Sequence, residues 1–142
     1  MVNFLKAVDT ILQRGDFILV YPEQSMWLNY KKIRPIRNGA FTFAAKNKVP
    51  VIPTFITLKD SDKIGEDGQY IQEYTINIGT PIEPNPTLGV KENTYEMKKL
   101  NYDFCKSVYE NYYGIPLKYE TLDHPNLPDY VSSTLDFKQY SI

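Results

Sequence analysis

The sequence predicts an α/β fold in which helices pack on a sheet, and three observations support this class. Apolar residues recur at helical spacing in residues 2–14 and 94–113, as in amphipathic helices. Unbroken apolar runs at residues 17–20 and 49–58 are typical of strands covered on both faces, as in parallel sheets. Residues 70–78 alternate apolar and polar side chains, which indicates a further strand.

The first half of the chain is expected to form a strand, loop, helix and strand in that order. Gly15 ends the first helix, and residues 17–20 follow as the first strand. A long loop then leads to a second helix at residues 39–47, in which three apolar residues share one face: Ala40, Phe43 and Ala44. This helix is expected to be the crossover between the first strand and the strand at residues 49–58.

The second half is expected to hold a strand, a proline-rich loop and a long helix. A polar turn at residues 60–69 precedes the strand at residues 70–78. Three prolines then exclude regular structure: Pro81, Pro84 and Pro86. The helix at residues 94–113 is expected to end at Gly114 and to pack across the sheet.

Length and composition favour one compact domain followed by a tail. The chain has 142 residues, of which 42% are hydrophobic, and this suffices for one core. We assign residues 1–116 to the α/β domain. Residues 117–142, rich in Pro, Asp, Ser and Tyr, are expected to form an extended segment on the surface.

Charge, cysteine content and hydropathy exclude several functional classes. Lys and Arg (16) nearly balance Asp and Glu (17), so the chain lacks the basic excess of a nucleic-acid-binding protein. A single cysteine, Cys105, excludes an internal disulfide and a multi-cysteine zinc site, and it fits a reducing compartment. No apolar run approaches the roughly 20 residues of a membrane-spanning helix. We therefore expect a cytoplasmic protein that contacts a membrane only peripherally, at its inner face.

The loop that follows the first strand is the first candidate site, because ligands of open α/β sheets bind outside the carboxyl ends of strands. It begins with five residues: Tyr21, Pro22, Glu23, Gln24 and Ser25. Glu23 brings a carboxylate to the end of the strand, and the length of the loop favours a function over simple linkage. The alternative is a solvent-exposed turn with an ordinary surface glutamate.

Three blocks of sequence resemble the lysophosphatidic acid acyltransferase family. The blocks are Tyr21-Pro22-Glu23-Gln24-Ser25, Arg37-Asn38-Gly39-Ala40 and Val49-Pro50-Val51-Ile52-Pro53. They resemble, in order and at about the same spacing, the family's Phe-Pro-Glu-Gly-Thr-Arg block, its Lys-x-Gly-Ala helix start and its Val-Pro-x-x-Pro strand. The resemblance covers residues 1–85. It implies the carboxy-terminal part of a glycerolipid acyltransferase-like sheet with flanking helices, without the N-terminal strands.

The resemblance also implies an activity, namely transfer of a fatty acyl group to a lysophospholipid or glycerol-phosphate-like acceptor in phospholipid biosynthesis. The acyl donor would be acyl-CoA or acyl-carrier protein as co-substrate, and neither a further cofactor nor a metal is implied. The residues implied in acceptor binding are Tyr21, Pro22, Glu23, Gln24, Ser25, Arg37 and Gly39. We interpret the chain as the acceptor-binding half of such an enzyme.

The chemical class of the acceptor stays open, because the first block departs from the family pattern. Met26 stands where the family has an arginine that pairs with phosphate, so the acceptor is either a phosphate ester or another lipid alcohol. Nearby basic residues could supply the missing cation: Lys31, Lys32, Arg34 and Arg37. Asn38 is expected to cap the helix that begins at Gly39, whose N-terminal amides favour an anion.

The family's catalytic His-x4-Asp motif is absent from its expected place, upstream of Tyr21. In the family its imidazole takes the proton of the acceptor hydroxyl. The only histidine, His124, begins a His-x4-Asp sequence, but it lies downstream of all three blocks and among prolines that disfavour a helical turn. We therefore expect no catalytic residue in the chain and no activity by the chain alone.

Two expectations about partners follow. A domain that lacks its first strands leaves apolar faces and sheet edges bare, so we expect the chain to self-associate. The alternative to an enzyme fragment is a noncatalytic module, derived from a truncated acyltransferase, that binds lipid or a partner protein.

Overall fold

The computed structural model describes residues 2–24 and 30–119. Within these residues lie three α-helices and two β-strands. In chain order they are α1 (Val2–Gln13), α2 (Gly39–Asn47), β1 (Thr54–Ile64), β2 (Tyr70–Ile78) and α3 (Val90–Tyr113).

The three predicted helices are confirmed with two shifted boundaries, the first of which is the end of α1 at Gln13 instead of residue 14. α2 has the predicted bounds, whereas α3 begins at Val90, four residues before the predicted start. Gly114 ends α3 with φ of 68°, in the left-handed region that favours glycine, and its N–H donates to the carbonyl of Glu110 at 2.9 Å. Gly114 was therefore correctly predicted to end α3.

β1 and β2 form an antiparallel hairpin. Thr54 pairs with Ile78 at one end of the ladder, and a bulge between Asp60 and Ile64 interrupts the register at the other end. The strand at residues 70–78 is confirmed. The predicted turn is shorter than expected, because β1 continues to Ile64 before the chain reverses.

One strand prediction is wrong, and a second is confirmed only in part. Residues 17–20 form no strand, and Phe17 and Leu19 are 86% and 78% exposed. An apolar run becomes a covered strand only where a neighbour supplies hydrogen bonds and cover, and no described strand lies beside it. The run at residues 49–58 enters β1 only at Thr54, and β1 pairs antiparallel with β2 instead of parallel with residues 17–20.

The core lies between α2, α3 and the loop that precedes α2. Its most buried members include Phe41 of α2, Met97 of α3 and Ile33 of the loop, each at most 2% exposed. Burying a side chain of this size stabilises the fold by about 1.5–3 kcal/mol. α1 contacts the end of α2 through Asp9, whose carboxylate accepts hydrogen bonds from Lys46 at 2.7 Å and from Asn47 at 2.8 Å.

The chain after α3 returns to the core before it leaves the described region. Leu117 is 2% exposed and belongs to the core cluster. The Tyr119 hydroxyl donates to the carbonyl of Ile33 at 2.6 Å, and the Lys32 ammonium donates to the carbonyl of Lys118 at 2.8 Å. The first residues of the expected tail thus pack against the loop before α2, and residues 120–142 lie outside the described part of the chain.

Candidate functional site

Glu23 is held by Arg34 through two hydrogen bonds and an ion pair. Its Oε1 accepts from the backbone N–H of Arg34 at 3.0 Å and its Oε2 accepts from Nε at 2.6 Å, while Nη2 lies 2.5 Å from Oε2. The two side chains are only 19% and 16% exposed. A charge-assisted, two-pronged contact of this kind fixes the orientation of both groups. The Glu23 carboxylate therefore lies against the protein, not in bulk solvent.

The loop that carries Glu23 is fastened to the start of α2. The carbonyl of Pro22 accepts a hydrogen bond from the N–H of Arg37 at 2.8 Å. Gln24 closes a turn by donating its N–H to the carbonyl of Tyr21 at 3.1 Å, and its φ of 54° lies in the left-handed region. Glycine adopts that conformation at least cost, and glycine is the residue of the acyltransferase block at this position.

Asn38 precedes α2 but does not cap it with its side chain, so this prediction is wrong. Its backbone has φ of −75° and ψ of −19°, and its side chain makes no capping hydrogen bond. A capping side chain normally projects from an extended backbone toward the N–H groups of the first turn. Instead, Oδ1 of Asn38 accepts from the ammonium of Lys98 on α3 at 3.1 Å.

Two cations stand near the first turn of α2. Burial lowers the pKa of Lys98, and the positive charge of Arg37 lowers that pKa further. The direction of the shift indicates that the two charges are close enough to repel each other. The helix dipole adds positive potential at the same end of α2. An anion bound here would relieve this concentration of positive charge.

The other basic residues of the predicted cluster have partners elsewhere. Lys31 pairs with Asp60 at 3.3 Å, Lys32 bonds the carbonyl of Lys118, and Arg34 pairs with Glu23. Among residues 2–24 and 30–119, no carboxylate lies within ion-pair distance of Arg37, which is exposed. Arg37 is therefore the member of the cluster best placed to meet a ligand.

Cys105 lies in the core and is unreactive. Burial raises the pKa of its thiol to about 12, and the negative charge of Glu23 contributes to the rise. The thiol is buried among core residues. At neutral pH it stays protonated, and a protonated, buried thiol is a poor nucleophile.

The remaining predicted site residues divide into exposed and undescribed ones. Tyr21 is 71% exposed, and Gly39 has open space where a Cβ would stand. Ser25 and His124 lie outside the described residues, so the predictions for them stay predictions. Lys98 was not predicted at all. Lys98 lies 61 residues after Arg37, and nothing in the sequence indicates that α3 brings it to the start of α2.

Neither a protein-family model, nor a curated protein, nor a solved structure matches this chain. Within the part of the chain that the structure describes, no helix is both long and apolar enough to cross a membrane. The same residues contain no group of three or more side chains suited to hold a metal ion.

Proposed function

We propose that this chain is the acceptor-binding portion of a glycerolipid acyltransferase, and that the acceptor carries a phosphate which binds at the start of α2. The single observation behind this choice is that Lys98 bonds Asn38 beside a helix start that the Asn38 side chain leaves uncapped, and that Arg37 lies close enough to lower the pKa of Lys98. Amide donors, the helix dipole and two cations together form an arrangement that suits a phosphate ester.

The contacts between two of the sequence blocks support the proposal. The Pro22–Arg37 hydrogen bond joins the first block to the second, so the residues that the resemblance implies in acceptor binding are neighbours. The left-handed backbone at Gln24 supports it further, because the turn keeps a shape for which the family's glycine is suited. Arg37 and Lys98 would together supply the positive charge that the family's arginine provides at the position of Met26.

Glu23 acts in this proposal as a positioning residue. Its carboxylate is bound by Arg34, and this contact holds the loop in place. The carbonyl of Pro22, in the same loop, accepts the hydrogen bond from the N–H of Arg37. Its contribution to acceptor binding would therefore pass through the backbone of the loop and not through direct contact with the acceptor.

The acyl group would come from an acyl thioester, either acyl-CoA or acyl-carrier protein. A lysophospholipid acceptor would lie in the inner leaflet of a membrane, so the protein would act from the cytoplasm and contact the membrane peripherally. The catalytic imidazole would have to come from residues beyond those that resemble the family here.

Calorimetric titration with glycerol 3-phosphate tests the proposal. Replacing Arg37 by Ala is expected to weaken binding about tenfold, equivalent to about 1.4 kcal/mol. Lys91→Ala is the matched control, because it removes the same charge from an exposed position at the start of α3 and is expected to change nothing. Glycerol without phosphate is expected not to bind. Equal affinities of wild type and Arg37→Ala would refute the phosphate site.

A turnover assay separates the enzyme fragment from a noncatalytic binding module. The isolated chain, mixed with acyl-CoA and lysophosphatidic acid, is expected to bind without turnover. Turnover that disappears in His124→Ala would show that the chain carries its own catalytic base. It would contradict the proposal that the chain only binds the acceptor.

A further inference from the structure

The outer edge of β2 presents backbone groups that meet no strand within the described residues. The Tyr113 hydroxyl accepts from the N–H of Leu58 at 2.8 Å and donates to its carbonyl at 3.0 Å. Leu58 therefore directs its backbone groups away from β2, and its pair with Tyr74 is a non-hydrogen-bonded pair. Because such pairs alternate, the same holds for the pairs that contain Ile76 and Ile78.

Tyr74, Ile76 and Ile78 consequently point their N–H and C=O groups away from β1. The sheet has two strands in the described part of the chain, so β2 is an edge strand over its whole length. An edge of this kind is a template for another strand.

The side chains of the same three residues are exposed. Tyr74, Ile76 and Ile78 are 66%, 63% and 69% exposed, and Ile56 beside them on β1 is 43% exposed. Their exposed area is on the order of 400 Å², which lies in the range of apolar patches that mark interaction sites. The opposite face carries Thr57, which is 0% exposed, and Phe55, which packs against the core.

The two edges of the hairpin differ in how they are protected. The β1 edge is blocked at Leu58 by Tyr113, and a bulge between Asp60 and Ile64 distorts it further. β2 contains neither proline nor lysine, which are common protections of edge strands. Its one charged residue, Glu73, lies by alternation on the opposite face from Tyr74 and Ile76. As far as the described residues show, the β2 edge is thus the one left open to pairing.

We propose that β2 pairs antiparallel with β2 of a second copy of this chain, which creates a four-stranded sheet across a two-fold axis. An antiparallel strand is complementary to itself, and the residues brought together on the exposed face are uncharged, so no like charges meet there. Two such faces side by side form one apolar surface twice as large. The inference goes beyond the proposed acyltransferase role, and neither depends on the other.

A membrane surface is the less suitable occupant. The end of the hairpin at its turn, residues 62–67, carries three carboxylates, Asp62, Glu66 and Asp67, against the single ammonium of Lys63. Anionic lipids would repel this end of the hairpin, whereas they attract basic segments. A second copy satisfies the backbone groups of the β2 edge without bringing the turn to such a surface.

Amide hydrogen exchange, measured by NMR on the whole chain, tests the pairing residue by residue. In dilute solution the outward amides of Tyr74, Ile76 and Ile78 are expected to exchange fast, while the inward amides of Thr75 and Asn77 stay protected. In concentrated solution the outward amides are expected to exchange at least about tenfold more slowly. Outward amides that exchange equally fast at both concentrations overturn the proposal. Protection already present in dilute solution would indicate cover from within the chain and overturns it as well.

A proline variant provides an independent test by sedimentation velocity. Ile76→Pro removes an N–H that the ladder with β1 does not use, so the hairpin is expected to persist while the pairing of two copies is lost. Ile71→Thr is the matched control, since Ile71 is 50% exposed on the same strand but lies on the other face. We expect wild type and Ile71→Thr to sediment as dimers and Ile76→Pro as a monomer. A dimer of Ile76→Pro, or a wild-type chain that stays monomeric when concentrated, overturns the proposal. If Ile76→Pro does not fold, the exchange experiment on the wild type still decides.

Discussion

At the scale of residues, the pair formed by Glu23 and Arg34 organises the candidate site. Both side chains are mostly buried, and the pair includes a backbone N–H as well as the guanidinium. The sequence placed Glu23 in the site, because its block resembles an acyltransferase block. It did not reveal that Arg34 would occupy the carboxylate, since both residues belong to one loop whose path is not periodic.

Glu23→Gln is predicted to lower the free energy of unfolding by about 1–3 kcal/mol, because a mostly buried guanidinium loses its counter-charge. Urea denaturation followed by circular dichroism measures the change. Glu73→Gln is the control, because Glu73 pairs with Lys59 at 3.9 Å with both side chains more than 60% exposed. That exposed pair is expected to contribute less than about 1 kcal/mol. Equally small effects of the two substitutions would refute the organising role of Glu23.

Lys98 marks the limit of what residue patterns could predict. The helix that carries it was expected, yet the charge of a lysine on an amphipathic helix is ordinarily solvated. Only the packing of α3 on α2 brings Lys98 to Asn38 and Arg37. A contact between distant segments cannot be predicted from a single sequence when each residue is ordinary for its own helix or loop.

At the scale of elements, helices were predictable and sheet partners were not. The helical period and the glycine that follows are local properties, so α2 and the end of α3 were located to the residue. The strand at residues 17–20 failed, because an apolar run indicates a need for cover without specifying a neighbour. The alternation in β2 predicted a strand correctly, but a period of two does not indicate which face is covered.

The contact between α3 and the edge of β1 gives a prediction for Tyr113. Tyr113→Phe keeps the ring and deletes the hydroxyl that bonds both backbone groups of Leu58, so stability should fall by about 1–2 kcal/mol. Tyr112→Phe is the control, because the Tyr112 side chain is 42% exposed and the contact with Leu58 is made by Tyr113.

Hydrogen exchange provides the local measurement for Tyr113→Phe. The amide of Leu58 is expected to exchange faster in Tyr113→Phe than in wild type, and to be unchanged in Tyr112→Phe. Unchanged exchange at Leu58 in both variants would mean that the hydroxyl does not protect this edge.

At the scale of the whole molecule, two surfaces with different chemistry lie on different elements. The loop before α2, the start of α2 and Lys98 of α3 form a polar, cationic region, whereas β2 presents an apolar edge. The core between α2 and α3 holds the first region together, and the hairpin joins that core along one face of β1. Binding at one surface and pairing at the other are therefore separable by single substitutions.

The sequence predicted that apolar surface would remain bare and that the chain would self-associate, but it did not locate the surface. The reason is that location depends on which edge is blocked, and the blocking group, Tyr113, lies 55 residues from Leu58 along the chain. The structure singles out the β2 edge, and the association itself stays a prediction.

An NMR titration of the labelled chain with glycerol 3-phosphate is the sharpest test of a phosphate site at the start of α2. We expect saturable shifts of the Gly39, Ala40 and Phe41 amides, and weaker binding in Arg37→Ala. The first turn of α3 serves as the internal control, because Glu92 places a carboxylate there and disfavours an anion. If glycerol 3-phosphate leaves the α2 amide signals unmoved, or shifts the signals of both helix starts alike, the start of α2 is not a phosphate site.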